Sequence, residues 1–364
     1  MARTIYLHIG LPKTGTTFLQ TTMWENRRAL RKTGFLYPGR QRMDHYRASQ
    51  EVRGATRERM GAHGGAWTRL VEELKSWDGD GIITHEFFSM ASASQAKAAV
   101  AALSPAKVEV LVTVRSYALQ FPAVWQEALK MDSTQSFDEF MASAFDRTLK
   151  GAWGWRSQDV VKVLDRWGAA VVPEQITVVT VPPPGAPRGE LWARWIQATG
   201  IDDSGFDLDL AYANESLGAP QAALLHRVKP YLSGDLTRLG AQHRWVRGYF
   251  GHEVLVPQRG PRFSPRPRDS ERLVELSCQA ADRIADRGLR VIGDLDDLRH
   301  QPGPTDGPNP DDITPEETVE VAARAIEQMI RDVAALTEER DRWRAEAKRA
   351  RGRSLWSRFG SRRA

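Results

Sequence analysis

The stretch from His8 to Gln20, HIGLPKTGTTFLQ, limits what this chain can fold into more than any other. Ahead of it, Thr4 to Ile9 is rich in β-branched and aromatic residues and reads as a short buried strand. Gly10 ends that strand, and a helix is expected from near Thr16 and Thr17. Strand, glycine-containing loop and helix start, in that order, form an anion cradle. The first backbone N–H groups of a helix have no partner inside it, and the macrodipole is positive at that end. The loop should therefore hold a phosphate-like group.

The position of the lysine decides which anion that is. A Walker A loop, GxxxxGKS or GxxxxGKT, carries its lysine on the helix and uses the next hydroxyl to hold magnesium. Here Gly10 and Gly15 keep the glycine spacing, but Thr16 takes the lysine position and the cation, Lys13, lies inside the loop. An ordinary ATPase or GTPase is disfavoured. The stretch instead resembles the 5′-phosphosulfate loop of sulfotransferases that use 3′-phosphoadenosine 5′-phosphosulfate (PAPS), usually PKTGTTWLQ. Pro12, Lys13, Thr14, Gly15, Thr16, Thr17, Leu19 and Gln20 match, and Phe18 replaces the tryptophan.

The resemblance implies a P-loop-type three-layer α/β fold with a central parallel sheet. It also implies roles: backbone amides from Thr14 through Gly15 and Thr16 to Thr17 around the phosphosulfate, the Thr16 and Thr17 hydroxyls on its oxygens, and Lys13 against charge on the leaving nucleotide. It calls for no metal. A second strand, GIITHE, ends at His85 and Glu86, and ligands collect at the carboxyl ends of parallel strands. Sulfuryl transfer to an alcohol needs a base. In the bacterial and carbohydrate sulfotransferases that the chain resembles, a carboxylate after this strand is a candidate. Glu86 is thus the first choice and His85 the second, against the plainer reading that one of them caps the next segment.

The apolar run Val108 to Arg115 reads as a central strand. By the same resemblance Arg115 binds the 3′-phosphate of PAPS, with a serine eight residues on. That position is Ala123, so half of the pair is missing. The fourth strand is Ile176 to Val181. Helices are expected over Phe18–Arg31, Trp67–Trp77, Ala93–Leu103, Phe121–Lys130, Ser136–Phe145, Asp159–Trp167, Leu191–Thr199 and Ser270–Gly288. Between them, residues 40–65 read as loop or irregular helix, a candidate part of a substrate gate. Trp153 and Trp155 read as core before acceptor platform. Asn214 or Ser216 of NESLG reads as a helix cap. The arginine-rich loop Pro257–Arg268 could cover a nucleotide or be solvated.

Residues 1–300 thus form one sulfotransferase-like domain, followed by a Pro/Gly-rich linker over 301–313, a heptad-patterned helix over 314–351 and a basic tail over 352–364. The helix carries Val319, Ala322, Ile326, Met329, Val333 and Leu336 at alternating spacings of 3 and 4 residues. Such a seam either forms a parallel homodimer or docks back on the domain. From Arg340 onward ten Lys or Arg face two acidic residues, so of the net charge of +5 this end holds +8 and the rest −3. A body of that sign argues against a nucleic-acid partner. The tail suits either an anionic membrane surface or solvent. Cys278 is the lone cysteine, and the N-terminus enters a core strand directly, so the expected location is the cytoplasm, membrane-peripheral if the tail binds lipid.

The function expected from these features is transfer of a sulfuryl group from PAPS to a hydroxyl or amine of a carbohydrate, glycolipid or small molecule. Two rivals compete: a P-loop kinase with a displaced lysine, which Thr16 argues against, and a non-catalytic scaffold of the same fold, for which Ala123 speaks and Lys13 does not.

Overall fold

The computed structural model describes the backbone of residues 2–209, 216–299 and 307–360, with side chains as far as residue 349, residue 57 excepted. Six strands form one sheet, all paired in parallel: β1 Thr4–His8, β2 Phe35–Leu36, β3 Asp80–Thr84, β4 Lys107–Val114, β5 Ile176–Thr180 and β6 Arg290–Ile292, in the order β2-β3-β1-β4-β5-β6. The side-chain period of two splits each central strand between two apolar layers. Ile5, Leu7, Val110, Val112 and Val178 face helices Ala66–Lys75, Ala93–Ala102, Tyr117–Lys130 and Pro267–Ala285. Tyr6, Leu111 and Val179 face helices Thr16–Glu25 and Glu190–Thr199. The architecture is the three-layer P-loop-type α/β fold with a further C-terminal helix, Pro315–Gly360.

The expected strands lie within a residue or two of those observed, but β3 stops at Thr84, leaving His85 and Glu86 on the turn beyond it. The helix expected over Phe18–Arg31 is two, Thr16–Glu25 and Arg27–Lys32, broken at Asn26, whose side chain bonds the backbone of Thr22 and Asp207. Pro122 is not in a first turn. Its helix starts at Tyr117, so the proline lies inside and removes one backbone bond without ending the helix. Within residues 40–65 the structure has a regular helix, Asp44–Val52, whose buried face is Asp44, His45, Ala48 and Ser49. Polar residues with local partners replace the apolar stripe that would have announced it: Asp44 accepts the N–H groups of Arg40 and Gln41 at 2.9 and 3.0 Å.

The described part of the linker is pinned to the body. Asp311 accepts the N–H groups of Phe137 and Asp138, and Arg266 from the arginine-rich loop bridges Asp138 and Asp312. The C-terminal helix continues past residue 351 to Gly360. Gly218, not Asn214 or Ser216, occupies the cap position of helix Ala219–Val228, without a side-chain cap bond; Asn214 lies outside the described residues. No helix among the described residues is long and apolar enough to cross a membrane.

Two buried histidines knit the carboxyl edge of the sheet. His8 Nδ1 lies 2.7 Å from Thr84 Oγ1 and its Nε2 3.1 Å from Thr113 Oγ1. His45 Nδ1 accepts the Thr84 N–H at 3.0 Å. Burial lowers His8 to about 3 and His45 to about 4, so both fold neutral. Unfolded, each protonates near 6.5. The unfolded chain therefore binds more protons below that value, and stability falls as pH drops. Thermal unfolding midpoints should decline steadily between about pH 6.5 and 4.5, before the carboxylates contribute. A flat midpoint over that window would contradict the neutral pair.

Candidate active site

The loop after β1 is shaped by three residues in left-handed conformation: Gly10 at φ 58°, Lys13 at φ 66° and Gly15 at φ 81°. At Gly10 a Cβ would lie 2.9 Å from both Glu86 Cα and Thr16 Cγ2, so glycine is what lets the loop, the helix start and the turn after β3 converge. Lys13 tolerates the same backbone region at a cost that is worth noting at a ligand loop. Alternation of left-handed residues turns successive N–H groups to one side, the concave nest that receives anions. Gly15 is the N-cap of helix Thr16–Glu25 and no side chain caps it, so its first N–H groups face the same space.

Thr14 holds the loop from beneath. Its buried Oγ1 donates to Leu11 O at 2.6 Å and lies 2.6 Å from Thr113 Oγ1, continuing the chain of hydroxyls through His8 to Thr84. Only its backbone is turned to a ligand. Lys13, Gly15, Thr16 and Thr17 all line one cleft of about 980 Å³, together with Glu86 and Arg115. Of the residues singled out from sequence, the cleft thus gathers all but Thr14 and His85.

Arg115, just past β4, is the most telling of them. Its Nε is buried without a hydrogen-bond partner among the described residues, and its Nη1 reaches Lys13 O only at 3.4 Å. Burial, with Arg262 nearby, lowers its guanidinium to about 10, still charged at neutral pH. A buried cation lacking an anion is costly unless one binds. Nest and orphaned guanidinium together fit a ligand with anionic groups at two points. Ala123 lines the same cleft, so the missing serine leaves a methyl there, not a hydroxyl. Arg262 carries no sequence signal beyond its place in a basic loop.

Lys13 has a partner that the sequence did not disclose. Its Nζ lies 3.3 Å from Glu127 Oε1 on helix Tyr117–Lys130, and the same buried carboxylate takes Lys130 at 3.2 Å and Arg247 at 3.2 Å. Burial alone would raise the Glu127 carboxyl; Lys13, Lys130 and Arg247 outweigh it and hold it far below the usual carboxylate range. One carboxylate facing three cations can release Lys13 to a second anion and remain compensated.

Glu86 lies against the loop and the start of helix Thr16–Glu25. Burial would raise its carboxyl, but His85, the turn backbone, Gln20 and Thr16 together lower it; Gln20 Nε2 donates to Oε2 at 3.0 Å. It is ionised at neutral pH and available to take a proton. His85 is placed differently. Its Nδ1 accepts the Phe87 N–H at 3.1 Å as the cap of the turn Glu86–Met90, its ring packs against Tyr46 and Phe87, and burial lowers its pKa. The capping reading weighed for this pair describes His85.

The cleft also contains Arg42 and Met43 from the turn before helix Asp44–Val52, Tyr46 on that helix, His243 and Arg247 from helix Gln242–Leu255, and Trp153. Trp155 is buried in the core, whereas Trp153 packs on the core and also forms cleft wall.

No family model and no curated protein matches the chain. Among solved structures, the crystal structure of a sulfotransferase from Alicyclobacillus acidocaldarius is similar, with a TM-score of 0.48 and 14% identity, over 82% of this chain and 100% of the other. A likeness of that degree bears on neither reaction nor substrate.

Proposed function

We propose that the chain is a PAPS-dependent sulfotransferase that transfers the sulfuryl group to a hydroxyl or amine of a carbohydrate, glycolipid or small-molecule acceptor. The observation that carries this reading is a loop lysine in left-handed conformation lining one cleft with Arg115, whose buried Nε has no hydrogen-bond partner among the described residues. A magnesium-nucleotide kinase would need its lysine where Thr16 stands. The non-catalytic reading retains the support of Ala123 alone.

In the proposed reaction the backbone of residues 14–17 holds the 5′-phosphosulfate and Arg115 the 3′-phosphate. The acceptor oxygen forms a bond to sulfur as the bond from sulfur to the bridging phosphate oxygen breaks. Glu86 takes the acceptor's proton, and the electron pair leaves on the bridging oxygen, where the Lys13 ammonium meets the developing charge. Phe18, Tyr46 and Trp153 offer aromatic surface on which an acceptor ring can lie. Incubation with sulfur-labelled PAPS and a panel of glycans, glycolipids and phenols tests the reading. Label should move to an acceptor in a nucleotide-dependent, protein-dependent manner, and a panel without transfer by a protein that also ignores the nucleotide would overturn it.

The pH dependence separates the two base candidates. A base must be unprotonated, so rate rises with pH through its pKa and then levels. With Glu86 held below its ordinary carboxylate value, kcat/KM should be level from about pH 5.5 to 8 and fall only in more acid solution. An inflection above the carboxylate range but below the ordinary imidazole value of about 6.5, the direction in which burial moves His85, would point to that histidine instead.

A further inference from the structure

The C-terminal helix Pro315–Gly360 uses two different faces for two different purposes. Its first turns dock on the body through Thr318, Val321 and Ala325, all buried, and the last tie is Tyr249 Oη donating to Asp332 Oδ2 at 2.7 Å. From residue 333 to residue 349 every side chain but Thr337 is exposed. The heptad seam begins beside the body: Ala322 packs against the core, and Ala322, Ile326 and Met329 line an apolar cleft with Trp245 and Phe250. Its outer side is open there, with Val319 65% and Ile326 57% exposed, and beyond the tie at Asp332 Val333, Leu336 and Trp343 are 61%, 64% and 65% exposed, a stripe of large apolar side chains. A lone helix in water draws little stability from its own backbone bonds, and one carrying such a stripe calls for a partner.

We propose that this seam pairs with the same seam of a second copy as a parallel two-stranded coiled coil. In the heptad register the a positions are Val319, Ile326 and Val333, all β-branched, and the d positions are Ala322, Met329, Leu336 and Trp343. β-Branched a residues with an unbranched-β residue such as leucine at d favour two parallel strands. The next a position is Arg340. In a parallel pair it lies beside g position Glu339 of the other copy, and Glu339 in turn reaches e position Arg344 of the other copy. Both contacts join opposite charges, and the two-fold axis repeats each of them. The two Arg340 side chains meet at the axis, and the flanking Glu339 of each copy compensates the charge of the other's Arg340, so the charged end of the seam is balanced across the pair. The assembly would be independent of the transfer reaction and would set two clefts side by side.

Light scattering on the full chain, chromatographed across the micromolar range, should give twice the monomer mass. Val333→Asp combined with Leu336→Asp should give the monomer with an unchanged melting midpoint for the body, because both side chains are exposed in the single chain. Glu339→Arg should weaken the dimer about tenfold, and Arg344→Glu added to it should recover part of the affinity, through the 339–344 contact and not the 339–340 one. In a Cys278→Ala background, Leu336→Cys should oxidise to a crosslinked dimer, as two d positions facing each other require. A monomeric wild type, a dimer that survives the paired aspartates, a charge swap without recovery, or the absence of crosslinking would each overturn the proposal.

Discussion

Lys13→Ala is expected to lower the rate of sulfuryl transfer by about a hundred- to a thousandfold, the range for removing one charge-stabilising group from the developing oxyanion. The fold should survive. Lys13 lies at the cleft surface, with about 31% of its side chain exposed, and Glu127 retains Lys130 and Arg247 when it is gone. The loss should fall mainly on kcat, since the cradle amides and Arg115 still bind nucleotide. Single-turnover rates beside a thermal melt separate the alternatives. A rate loss with an unchanged melt supports the role given to Lys13, and an unchanged rate would remove Lys13 from the chemistry.

Glu86→Gln is the second large effect. General-base catalysis contributes roughly a hundred- to ten-thousandfold, and the amide keeps the side chain's size while losing the ability to take a proton. Gln20 Nε2 can still donate to the new amide oxygen, so the turn should hold. His85→Gln makes the contrast. His85 caps its turn through Nδ1 and stays off the cleft wall, so its loss should cost stability, about 1 kcal/mol as for other helix caps, and change the rate by less than about tenfold. If the two variants exchange these behaviours, the base is the histidine.

Much of this was legible in the chain because the chemistry is local. The loop from Pro12 to Gln20 is continuous in sequence, and β1, β4 and β5 are short runs dominated by apolar and β-branched residues. β2 has two residues and β6 three, too few for any periodicity to show. Helix Asp44–Val52, within a stretch that reads as loop or irregular helix, has no apolar stripe because its buried face includes a carboxylate, an imidazole and a serine held by hydrogen bonds. Glu127 was invisible for a different reason. Its cationic partners Lys13 and Arg247 are 114 and 120 residues away, and only the folded chain brings them together. Trp153 and Trp155 lie two residues apart and both pack on the core, but Trp153 also lines the cleft, a difference that composition does not show.

In the proposed function the loop and Arg115 together hold a nucleotide with phosphate at both its 3′ and 5′ positions. Calorimetric titration of 3′-phosphoadenosine 5′-phosphate without metal, against ATP with magnesium, tests it most directly on wild type, Lys13→Ala and Arg115→Ala. The account predicts tight, metal-independent binding of the bisphosphate by wild type, weakened by either substitution and most by loss of Arg115. Preference for magnesium ATP, or indifference to both nucleotides, would contradict it.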